Sequence, residues 1–151
     1  AGTYSAAIRI DGKDLPKGFA PIKGKDKQRS ICDAIYYFLD SEGVSVMHRV
    51  TGDMVYHFYC GDPVQMLLLY PDGRSETCMF SNDLASGAGP VKVIPGGNWL
   101  GSRVFIGGSY ALMGVTMAPG FNPVDYEIAK RADLLKKYPD RRDLIMALTK
   151  G

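Results

Sequence analysis

The chain reads as an all-β protein, an antiparallel sandwich or barrel with helix confined to its C-terminal end. Three observations predict this. Short β-branched and aromatic runs recur at regular spacing, Gly, Pro and Asp clusters punctuate them, and no helical pattern alternates with them. Without βαβ alternation a parallel sheet has no crossover segments.

In order, Thr3–Ile10 is a strand ending at Asp11-Gly12. Residues 11–30 are rich in Gly, Pro and Lys and read as a long exposed connection. A connection of this length is commonly a lid or an edge cover. Ser30–Leu39 follows as strand, with Asp40-Ser41-Glu42-Gly43 as its turn. Val44–Val50 and Met54–Cys60 are separated by Thr51-Gly52-Asp53, and together they hold the two histidines, His48 and His57. Val55–Cys60 is β-branched or aromatic at nearly every position, the pattern of a strand buried on both faces. Val64–Tyr70 and Ser75–Phe80 form a hairpin across Pro71-Asp72-Gly73. After a polar loop, Val91–Ile94 leads through Pro95-Gly96-Gly97 into Trp99–Ile106, and Tyr110–Met117 follows Gly107-Gly108-Ser109. That makes eight or nine strands. Helical spacing appears only over roughly Val124–Lys137 and Arg141–Leu148.

The 151 residues fit one domain and can bury a sizeable core. An apolar content of 46% with 23% charged residues is that of an ordinary soluble globular protein. A net charge of +2 gives no footing for nucleic-acid binding. No apolar run reaches the ~18 residues that span a bilayer, and no stretch reads as a secretory leader. Cys32, Cys60 and Cys78 form no CxxC pair and are odd in number, so reduced, buried thiols in a cytoplasmic protein are expected.

The segments HRVTGDMVYHFYCGDP, PGGNWLGSR and YALMGVTMAPGFNPVDYEI resemble a family of small cupins of uncharacterised function, akin to the RmlC-type sugar-nucleotide epimerases. The likeness runs from about Ser30 to Ile128. It implies a cupin double-stranded β-helix, a jelly-roll barrel over about residues 3–122. Short C-terminal helices occupy about 124–149, all within a single domain 1–151, and the family is typically homodimeric. Cupins host many chemistries on one barrel, so the family supplies no activity by itself.

Metal-dependent cupins carry HxH-x4-E and PxGxxH motifs. Anchored on Gly61 and Pro95, those ligand positions fall on Met47, Arg49, Met54 and Leu100, none of which ligates such a cation. No metal and no cofactor is therefore expected. By the resemblance, Met54, Leu100 and Ala6 each replace a polar residue, and Ser5 an arginine. Two consequences stay open: a retained apolar pocket, or a pocket filled in as core.

Strand alternation puts Met54, Tyr56 and Phe58 on one face and Val55, His57 and Tyr59 on the other. His57 accordingly reads as structural or as part of a dimer interface. His48 matches by position a strand histidine that acts as base in the RmlC-type enzymes, and Tyr37 or Tyr56 would supply the acid. Met54, Phe58, Trp99, Leu100, Tyr110 and Thr116 complete the candidate substrate-binding set, and Asp125 stands in the family-matching stretch. The expected function is metal-independent isomerisation, epimerisation or cyclisation of a small, largely apolar molecule. The alternative is a non-catalytic small-molecule binder or dimeric interaction module.

Overall fold

A computed structural model describes residues 3–11 and 30–150. Of the connection expected over residues 11–30 as a lid or edge cover, residues 12–29 lie outside the described residues, as do the side chains of Ser5 and Ala6.

Ten strands form among the described residues: β1 (Thr3–Ile10), β2 (Cys32–Asp40), β3 (Val44–Arg49), β4 (Met54–Gly61), β5 (Val64–Leu69), β6 (Ser75–Phe80), β7 (Val91–Ile94), β8 (Trp99–Val104), β9 (Tyr110–Met117) and β10 (Glu127–Ile128). They assemble into two five-stranded sheets, β1-β2-β9-β4-β7 and β10-β3-β8-β5-β6. Every pairing is antiparallel. Neighbours in a sheet are mostly distant in sequence, as in a jelly roll.

The core between the sheets follows the period of two. On β4, Met54, Tyr56 and Phe58 are buried while Val55 and His57 are half-buried and Tyr59 is exposed, so this strand buries one face rather than both. Tyr37 and Leu39 from β2, and Ala111, Met113, Val115 and Met117 from β9, meet them, together with Met66, Leu68, Leu100 and Val104 from the opposite sheet.

The C-terminal segment departs from its sequence pattern. In place of one helix over Val124–Lys137, there is a 3-10 turn at Pro123–Asp125, then β10, then a short helix α1 (Arg131–Lys137). Glu127 and Ile128 pair with Arg49 and His48 across the edge of β3, and the Arg49–Glu127 ion pair backs that pairing. Tertiary pairing overrides a helical propensity that is only a weak prior. Helix α2 (Arg142–Ala147) is the last described element.

Both helices pack on the outer face of the second sheet. Leu134, Tyr138, Ile145 and Leu148 enclose Met47, Leu67 and Leu69 in a separate buried cluster.

Among the cysteines, Cys32 and Cys78 are half-buried, but Cys60 is exposed, against the expectation of buried thiols throughout. Its strand carries a register shift between Phe58 and Cys60, which ends the regular inward alternation just before it.

Candidate functional site

Strand β3 should turn Ser45, Met47 and Arg49 to one face and His48 to the other. Its register against β8 instead shifts between Ser45 and His48: Ser45 faces Ser102, but His48 faces Leu100. The extra residue reverses the phase. Ser45 points into the barrel, Met47 points out into the helix-covered cluster, and His48 and Val50 point in. A bulge that re-aims one side chain is a recurrent device beside functional sites.

The bulge is satisfied from outside the sheet. The N–H of Met47 donates to the Leu148 carbonyl at 2.8 Å, and the Met47 carbonyl accepts from Ala129 N–H at 2.9 Å. Gly101 opposite it leaves room: a Cβ there would stand 2.7 Å from Met47 Sδ and 3.1 Å from the Ser45 carbonyl.

His48 thus reaches the wall of a cavity of about 450 Å³ at one end of the barrel. The apolar lining is Ile35, Val50, Met54, Tyr56, Val115 and Met117, with Phe121 and Tyr126 contributed by the segment after β9. Arg9 and Asp33 are its remaining polar members. His48 is only 6% exposed. Its Nδ1 lies 2.7 Å from the Val46 carbonyl, within the bulge itself. A carbonyl can only accept, so Nδ1 carries the hydrogen and Nε2 is left as the acceptor nitrogen of the neutral ring. Burial lowers the imidazole pKa below its usual 6.5, and the bond to Val46 only partly offsets this. The ring stacks on Tyr126 at 5.1 Å and 28°.

Asp33 ties this end together. Its carboxylate accepts from Ser30 Oγ at 2.6 Å, from Phe121 N–H at 3.0 Å, and from Arg9 Nε at 3.1 Å and Nη2 at 3.4 Å. The Gly120 N–H donates to the Ser30 carbonyl at 2.9 Å, and a Cβ on Gly120 would lie 1.9 Å from Ser30 Oγ. The AlaProGlyPhe stretch therefore runs flat against β2. Phe121, so placed, meets Tyr126 edge to face at 6.2 Å.

Of the residues singled out from sequence, His48, Met54 and Tyr56 converge on this cavity. Tyr37 and Phe58 face inward but lie deeper, where the sheets close; Tyr37 OH approaches Ser102 Oγ at 3.4 Å, and its ring abuts Tyr56 at 6.3 Å. Leu100 is core. Trp99 lies against the helix-covered cluster, with the Arg49 guanidinium 4.5 Å above its ring. Tyr110 is on the outer face, stacked on Phe38 at 5.9 Å. Thr116 also faces outward, its Oγ1 3.4 Å from His57 Nε2. Asp125 belongs to the 3-10 turn before β10 and does not line the cavity.

Arg9, Asp33, Ile35, Val50, Val115, Met117, Phe121 and Tyr126 were not anticipated. The period of two on β9 places Val115 and Met117 with Met113 and was readable. Phe121 depends on Asp33, and Tyr126 packs on Phe121 and His48; Asp33 and His48 are too far off in the chain for any local pattern.

The metal-ligand positions implied by the cupin resemblance do not meet. Met47 is outside the barrel, Arg49 is committed to Glu127, and Met54 and Leu100 are apolar core. In the cavity one imidazole nitrogen stands beside a carboxylate already holding four donor groups. Among the described residues no three His, Cys, Asp or Glu side chains gather. This donor set does not fit a catalytic metal.

No protein of curated function matches the chain. A protein from Shewanella oneidensis superposes with a TM-score of 0.84 at 27% identity, covering 99% of this chain and 87% of that one. A hypothetical protein from Leishmania major gives 0.81 at 24% identity over 99% and 90%. A variant of Bacillus subtilis oxalate decarboxylase gives 0.58 at 10% identity, over 99% of this chain but 36% of the enzyme. The last two likenesses are of fold alone. The family model described as Cupin superfamily (DUF985) matches residues 1–129, and with the two-sheet barrel it shows that the chain belongs to that cupin family.

Proposed function

We propose that this cupin acts on a small, largely apolar molecule held in the barrel cavity, by metal-independent proton transfer of the isomerase, epimerase or cyclase kind. One observation carries the reading: an apolar cavity of about 450 Å³ whose wall presents a single neutral imidazole with Nε2 left as acceptor. His48 is the base of this reaction, and Tyr56, on the same wall, is the phenol that supports the resulting enolate oxygen. Tyr37 stands behind Tyr56 and does not reach the cavity. Such chemistry needs a shaped, dry site and one or two titratable groups, not a charged cluster.

The test joins native mass spectrometry and metal analysis of the purified protein with deuterium exchange into the ligand found bound. A metal-free protein that exchanges ligand C–H, and loses exchange but not ligand in His48→Gln, supports the reading. A stoichiometric metal overturns it. A bound ligand that never exchanges favours the second reading, a non-catalytic binder. That reading has its own support, because Arg9 and Asp33 pair with each other and leave His48, Tyr56 and Tyr126 as the other titratable groups among the described lining residues.

The chain acts in this proposal as a cytoplasmic homodimer. No described helix is long and apolar enough to cross a membrane. For the dimer, the outer face of the first sheet offers an apolar surface: Tyr36, Phe38, Tyr59, Tyr110, Val91 and Val93 are all exposed there. Tyr36 meets Tyr59 edge to face at 6.2 Å, and Phe38 stacks on Tyr110. A contiguous aromatic patch of this kind marks an association surface.

A further inference from the structure

We infer that the cavity selects neutral apolar molecules carrying one hydroxyl donor, a phenol or an enol, which donates to Nε2 of His48. The inference rests on the proposed ligand reading and narrows it to a chemical class.

The selecting feature is the tautomer. Because the bulge carbonyl of Val46 takes the Nδ1 hydrogen at 2.7 Å, the cavity meets an acceptor and not a donor. The ring cannot turn over to offer N–H without abandoning the part-buried Val46 carbonyl, and its stack on Tyr126 holds its plane. A ligand ether or carbonyl oxygen placed at Nε2 would set lone pair against lone pair. A hydroxyl satisfies it.

Charge is excluded by the same set of groups. Asp33 already holds two groups on Arg9, one on Ser30 and one on Phe121, and Arg9 directs its Nε and one terminal nitrogen back at Asp33. A carboxylate entering would find the nearby cation compensated and the imidazole without a proton to give. The rest of the wall favours a flat apolar body. Tyr56, Phe121 and Tyr126 supply ring faces and edges, and Met54 and Met117 are thioethers that adapt their shape around an aromatic ligand.

Calorimetric titration with naphthol, methoxynaphthalene and naphthoate near neutral pH tests this on wild type and His48→Phe, which keeps an aromatic ring over Tyr126 but removes the acceptor. The expected result is naphthol binding about tenfold tighter than methoxynaphthalene, with naphthoate weakest. In His48→Phe the naphthol advantage disappears, because naphthol loses its acceptor and methoxynaphthalene is relieved of the lone-pair repulsion. Nitrogen NMR of the wild-type imidazole, independent of whether the variant folds, should show Nε2 shifting with naphthol and not with methoxynaphthalene. Equal affinities for naphthol and its methyl ether, or an unshifted Nε2, overturn the selectivity while leaving an apolar-ligand cavity intact. No binding of any of the three overturns the cavity reading itself.

Discussion

The backbone N–H of Met47 donates to the carbonyl of Leu148 at 2.8 Å, so the last turn of the chain holds the bulge that aims His48. The tail is therefore a positioning element as well as a cover. Ile145, fully buried in the cluster around Met47, is the residue to remove. Ile145→Ala should cost about 2–4 kcal/mol in urea unfolding. It should also weaken cavity ligands under conditions where the protein remains folded. A variant that loses stability but keeps full ligand affinity would show that the bulge holds its shape without the tail.

The barrel was largely legible because its signals are local. Alternation along Met54–Phe58 assigns the inner face of β4, and Pro71-Asp72-Gly73 marks the β5–β6 hairpin, with Leu69 opposite Ser75 as the turn requires. The candidate site was legible only where a side chain follows its strand's phase, as Met54 and Tyr56 do. His48 was picked by resemblance, and its inward aim comes from a bulge that leaves no mark in the residue pattern. Helical spacing around Asp125–Ile128 misled because the strand there exists only by pairing with Arg49 and His48. Trp99 has the composition of a pocket wall, yet the helices provide it with another surface.

Asp33 makes the cavity's outer end depend on one carboxylate. Asp33→Ala leaves Ser30 Oγ and the Phe121 N–H without their acceptor, at a cost of about 2–3 kcal/mol. The contact with Arg9 adds only a few tenths of a kcal/mol by comparison, since Arg9 is 58% exposed. Asp33→Asn, which keeps one acceptor oxygen, should lose about half as much. Urea midpoints read by Trp99 fluorescence check both values. The prediction fails if Asn and Ala cost the same.

Burial of His48 links stability to pH. The unfolded chain binds a proton on this ring near pH 6.5, whereas the native pKa is lower. Below 6.5 the unfolded state therefore holds more protons, so stability falls with falling pH. The contribution is fully present above about 6.5, and its loss levels off once pH drops below the native value. Unfolding midpoints across that range should show the step in wild type. In His48→Phe the step should vanish, leaving only the background slope from other groups.

The three thiols should separate by alkylation. Cys60 is exposed and should react with iodoacetamide first. Burial pushes the Cys78 thiol up to about 11, outweighing the lowering by nearby Lys92, so little thiolate exists near neutral pH. Peptide mass spectrometry over a time course should show Cys60 modified while Cys78 stays free. Rapid labelling of Cys78 would mean that the edge between β6 and β7, closed by the Glu76–Lys92 pair and by Tyr70 OH on Glu76 at 2.7 Å, opens readily in solution.

The aromatic outer face makes a prediction about mass. Phe38 is 38% exposed with one ring face against Tyr110, and a second copy of the same patch would cover the remainder. In an isologous interface one substitution acts twice. Phe38→Asp places two carboxylates in the patch at each dimer, and burying unpaired charge there is strongly unfavourable. Light scattering after size exclusion should report a dimer for wild type and a monomer for Phe38→Asp. Because Phe38 points away from the cavity, the monomeric variant should retain ligand binding. If wild type is itself monomeric, the exposed rings serve no self-association, and the dimer expected from the family does not extend to this chain.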